Sequence, residues 1–142
     1  MVSQDLLLII RGIFNAITPE TKIEDSVALL SSVFSPTLIV AALDIIDDNL
    51  VVQHVTPWGH VEYGIDGTSY AIFLDMPTAE LLPYSCSCIT FVSSLLTVPN
   101  FIMCKHTLAT KIASRMNLCR TSPTDVDALA SLITRQLTIV PP

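Results

Sequence analysis

Charge is what this chain of 142 residues has least of: only 14% of its residues are charged, against roughly 25% in an ordinary soluble domain. Basic residues are the scarcer kind. Seven Lys and Arg against thirteen Asp and Glu leave a formal net charge of −6, and nowhere do basic residues form a run. A protein that neutralises several phosphates needs a Lys/Arg patch, so the chain alone is expected to bind nucleic acid poorly. Long hydrophobic runs are missing too. The two most apolar stretches, "LLLIIRGIF" and "TLIVAALDII", are broken by Arg11 and Asp44, well short of the ~18 to 20 residues of a spanning helix. Asp5 stands where a signal peptide would be basic, and no small-residue cleavage site follows. These absences point to an intracellular chain that does not cross a membrane. What it does have is apolar surplus, 51% hydrophobic residues and a mean hydropathy of +0.60, and surplus apolar surface usually meets a partner.

The length is that of one domain, and the expected class is α+β. N-terminal helices occupy 1–48, an antiparallel β-meander and a metal-binding finger 49–116, and a C-terminal helix and tail 117–142. Leu6, Ile10, Ile13, Phe14 and Ile17 recur at helical spacing, predicting a first helix over about 4–17. In "SPTLIVAALDIIDD", Ser35 is the N-cap and Pro36 the first helical residue. Leu38, Ile39, Ala42, Leu43 and Ile46 line one face, yet Val40, Ala41 and Ile45 are apolar as well. That helix is either buried on most sides or offers Val40 and Ile45 to a partner. "NLVVQHV", "GHVEYGI" and "SYAIFLD", separated by the turn signals "TPWG" and "DGT", predict three antiparallel strands. In "SPTDVDALASLITRQL", Ser122 and Asp125 sit in capping-box-like positions around Pro123, with Val126, Leu129, Ala130, Ile133 and Leu137 on one stripe.

Chemistry concentrates between 84 and 106, in "YSCSCITFVSSLLTVPNFIMCKH". Cys86-x-Cys88, a fifteen-residue spacer and Cys104-x-His106 supply four soft or borderline ligands in two close pairs, the inventory of a closed Cys3His zinc site. Cys104 and His106 stand at the start of the helical pattern "CKHTLATKIASRM". Disulfides and clustered free thiols are the alternatives. Thiols one residue apart close strained loops, and nothing marks a secreted chain.

The pattern C-x-C-x(n)-C-x-H resembles the SWIM zinc finger, and "YSCSC" followed by "IMCKHTLA" carries its signature, including the Lys between the last two ligands. Over roughly 30–116 the chain is similar to the small SWIM-domain subunits of Shu recombination complexes. That resemblance implies a β-meander leading into a ββα-like finger, with one structural Zn2+ held by Cys86, Cys88, Cys104 and His106. It also implies a nuclear protein that pairs with a RecA-like recombinase paralogue, reaches single-stranded DNA only through the complex, and assists recombinase filament assembly in homologous recombination. A SWIM module that contacts DNA itself is the alternative. Ile89 stands where the family often has Pro.

Catalytic zinc keeps an open position for water, which four ligands would fill. The H-x-E and P-C-x-x-C elements of zinc deaminases, a P-loop and G-x-S-x-G are all missing from the sequence, so a non-enzyme without a small-molecule substrate is expected. Cys119 reads as an idle or buried thiol, and His54 and His60 as residues flanking the "TPWG" turn. Trp58 in that turn is either an exposed loop residue or a partner anchor.

Overall fold

The computed structural model describes residues 3–76 and 82–137. Within them six helices and a five-stranded sheet make a mixed α+β fold. Helix α1 (Gln4–Ala16) begins at Ser3, whose Oγ accepts the Leu6 N–H at 3.0 Å, and buries Ile10 and Phe14 as its spacing requires. Helix α2 (Ile23–Leu30) has no side-chain cap, which is why no start signal marks it in the sequence. Helix α3 (Pro36–Asp47) starts as expected, with the Ser35 hydroxyl accepting from Leu38 N and Pro at the first position.

Strands β1 (Val51–Val55) and β2 (Val61–Ile65) pair antiparallel, Val51 opposite Ile65 and Val55 opposite Val61. Gly59, at φ 87°, turns between them, a backbone region that costs glycine nothing. The third expected strand shrinks to β3 (Ile72–Phe73), and β4 (Ser85–Cys86) pairs with it antiparallel. Helices α4 (Ile89–Thr97) and α5 (Lys105–Met116) follow. Strand β5 (Arg120–Pro123) then returns to lie parallel to β1, and α6 (Val126–Leu137) ends the described chain. The sheet order is β4-β3-β2-β1-β5.

Two readings of the sequence are corrected here. Ser122 belongs to β5 opposite His54 and is not the cap of the last helix. Asp125 caps it, its carboxylate accepting Ala128 N–H at 2.7 Å. Pro123 tolerates the strand because it lies at its end, on the edge. The α6 stripe is also rotated from the expected one: Leu132 is the buried residue, and Val126 and Ile133 are exposed; the side chain of Leu137 lies outside the described residues. The spacer between the ligand pairs, for which the sequence offered no element, contains α4.

Helix α5 is the centre of the molecule. Eight of its twelve residues are buried, and it packs on α3, on α1 and across β1 to β4. Leu108, Ala109, Ile112 and Ala113 lose all contact with solvent; the two alanines let neighbouring backbones come close without leaving voids. Arg115 ties α5 to the end of α1. Its Nε donates to the carbonyls of Phe14 (2.9 Å) and Ile17 (3.1 Å) and its Nη2 to that of Asn15 (3.3 Å), satisfying carbonyls that a helix end leaves orphaned. Lys111, nearly buried, pairs with Asp75 and lies over the Phe14 ring. Asn117, at φ 58°, stops the helix.

Candidate metal centre

Each pair of candidate ligands is placed by an element boundary. Cys86 ends β4, opposite Ile72, and is fixed by the sheet. Two residues on, Cys88 is the N-cap of α4, and its Sγ accepts the Phe91 N–H at 3.3 Å. Cys104 does the same for α5: its Sγ accepts the Thr107 N–H at 3.5 Å and lies 3.2 Å from the Thr107 hydroxyl oxygen. His106, in the first turn of α5, points back at the sulfurs. Two helix N-termini therefore converge on the site, and their positive ends favour thiolates there. Thiolates capping helices is a job that Ser or Asp would do elsewhere.

The geometry fits a metal ion. Metal–sulfur and metal–nitrogen bonds of ~2.3 and ~2.0 Å in a tetrahedron separate ligand atoms by about 3.5–3.8 Å. His106 Nδ1 lies 3.8 Å from Cys104 Sγ and 4.0 Å from Cys86 Sγ, and all four ligand atoms fall within 4.8 Å of one another. Cys86, Cys88 and Cys104 are buried and His106 is half-buried. The Tyr70 ring, 4.9 Å from the imidazole and tilted 48° to it, braces His106. Thr107 and Tyr70 support the site without being ligands. Thr107 could have been found as the third residue after an N-cap; Tyr70 carries no sequence signal, since it enters from the β2–β3 side of the sheet.

The three thiols are unequal. The hydrogen bond from Cys86 outweighs the cost of burial and, with His106 and Thr107, holds Cys104 down to about 3. The same bond, with burial, drives Cys86 far up, and burial raises Cys88. A bound divalent cation reverses that, holding all three as thiolates and releasing protons as it binds. Three sulfurs and one nitrogen in a tetrahedral cage are the donor set of structural zinc. A full set of four leaves no protein-bound position open for a reacting water.

The remaining candidates do not join this centre. Cys119 lies apart, packed against the core, with its thiol pushed up to about 11 by burial. His60 Nε2 meets Glu62 Oε1 at 2.8 Å, and His54 faces Glu62 across β1 and β2. Among the described residues no other group of three His, Cys, Asp or Glu could hold a metal ion. Trp58 is exposed on its turn, at 58%. Val40 is exposed at 57%, but Ile45 is only 9% exposed and belongs to the core. The pairing of Val40 with Ile45 on one outward face is thereby corrected: five positions along a helix turn Ile45 inward beside Ala42. No helix among the described residues is long and apolar enough to cross a membrane.

Comparison with known proteins agrees with the donor set. The chain is similar to "Zinc finger SWIM domain-containing protein 7" of Danio rerio, with 26% identity over 113 residues that span 80% of this chain and 77% of that relative. No family model matches the chain, and no solved structure does.

Proposed function

We propose that the chain is a non-catalytic docking subunit, held in shape by one structural Zn2+, that pairs with a RecA-like recombinase paralogue in the nucleus. With that partner it promotes assembly of recombinase filaments on single-stranded DNA in homologous recombination. The observation that carries the reading is the closed Cys3His cage at the junction of β4, α4 and α5, together with the similarity to a SWIM-domain protein. The kind of partner comes from the resemblance of residues 30–116 to Shu-type subunits.

Electrostatics favour docking over direct DNA contact. Of seven basic residues, Lys111 pairs with Asp75, Arg120 with Asp66 at 2.9 Å, and Arg115 is engaged by three carbonyls. The other four form no run in the sequence that could serve as a phosphate-binding patch, and three thiolates with one Zn2+ make the chain one unit more negative. The test is purification of the tagged chain from its own cells, identification of the co-purifying subunit, and fluorescence anisotropy on single-stranded DNA. A RecA-like ATPase should co-purify, and the pair should bind DNA more tightly than the chain alone. Sub-micromolar binding by the isolated chain that strengthens as salt falls would replace this reading with direct DNA contact.

A further inference from the structure

Residues 81–104 contain no Asp, Glu, Lys or Arg at all. Part of this stretch walls a groove of about 590 Å³ beside the metal centre. Leu38 and Ala41 of α3 line it, and so do Ser94 of α4 and Val98, the C-cap of that helix. Phe101, held edge-on to Phe91 at 5.3 Å, also lines it, and so do the ligands Cys104 and His106. Around the groove α4 is weakly covered: Phe91 is its one buried residue, while Ile89 and Leu96 are 75% and 82% exposed. A mostly apolar concavity of this size beside an uncharged, apolar helix is a docking surface by its chemistry.

Charge selects the occupant. Among the described residues the one charged side chain lining the groove is Lys105, which is exposed and has no ion-pair partner there. Lys111, Arg115 and Arg120 are engaged elsewhere in the fold. An ammonium lining an apolar groove is complementary to an apolar segment that carries a carboxylate. A second copy of the chain is disfavoured, because it brings another net −6 to the contact. We propose that the groove receives an apolar segment of the ATPase partner, with a carboxylate of that segment seated on Lys105. The inference rests on the docking reading above and adds the surface and the chemistry of what fills it. Because Cys104 and His106 help line the groove, metal loss removes the surface along with the fold.

The experiment uses the complex of the full chain with its co-purified ATPase subunit. A carbodiimide, which joins an ammonium to a carboxylate only when they touch, should link Lys105 to an Asp or Glu of the ATPase, mapped by mass spectrometry. Lys105→Arg should retain binding and abolish that link. Ser94→Trp, which fills the groove, should weaken binding at least tenfold with zinc still at one per chain. Full-affinity binding by Ser94→Trp, or a wild-type complex in which Lys105 is not linked to the ATPase, overturns the inference. A Lys105 link to a second copy of this chain overturns the choice of occupant. A wild-type chain that retrieves no RecA-like ATPase removes the docking reading itself, and the occupant with it.

Discussion

Replacing Cys104 with Ala separates the two roles that its sulfur combines. As N-cap of α5 it accepts the Thr107 N–H, and as a buried neighbour it lies 3.2 Å from the Thr107 hydroxyl oxygen. Loss of an N-cap costs ~1 kcal/mol, and a buried hydroxyl left unsatisfied costs about 1–3 kcal/mol; Thr107 is fully buried. In metal-free protein Cys104→Ala should therefore destabilise by roughly 2–4 kcal/mol. Zinc adds a separate quantity. A metal buffered a thousandfold above its dissociation constant stabilises the wild type by about 4 kcal/mol, and the variant, with three ligands, should gain little of it. Urea unfolding followed by circular dichroism at 222 nm, in chelator and in buffered zinc, yields both numbers. The loss should be about 2–4 kcal/mol without metal and at least 6 kcal/mol with it. Equal losses in the two buffers would refute Cys104 as a ligand and leave only the cap.

Arg115→Met should lower stability by about 1.5–3 kcal/mol, the scale of hydrogen bonds from a charged donor, and Arg115→Lys should restore only part of it, since an ammonium cannot span three carbonyls as a planar fork does; chemical denaturation measures both. Tyr84 is pushed up to about 12, chiefly by burial and then by Asp75. An unfolded tyrosine releases its proton near 10 and the folded one near 12, so the unfolded state binds fewer protons in that window and stability falls as pH rises through it, by roughly 2 kcal/mol. Tyr84→Phe should flatten that alkaline slope in thermal melts between pH 9 and 12. Val40→Glu should leave the fold intact whereas Ile45→Glu, which buries a carboxylate in the core, should abolish the cooperative unfolding transition seen by circular dichroism.

Local chemistry was legible in the sequence. Ser35 and Pro36 mark the start of α3, the Ile10/Phe14/Ile17 spacing marks the inward face of α1, and the turns "TPWG" and "DGT" bound β2, because caps, turns and periodicity act over a few residues. The ligand set was legible for the same reason: two pairs of soft donors, each one residue apart, announce themselves within a short window. What depends on distant residues was not. Ser122 reads as a helix cap until β1, some seventy positions earlier, supplies a parallel partner for β5. Ile45 reads as a second helix face until α3 packs on α5 and Ile45 is buried. Tyr70 braces His106 and Arg115 caps α1 only through contacts made across the fold. The groove by Lys105 likewise exists only once folding brings α3 and α4 together to line it. Sequence by itself determined which residues could bind a metal and where α1 and α3 begin; tertiary packing decided which apolar faces are core and which are surface, because burial is a property of neighbours brought together by folding.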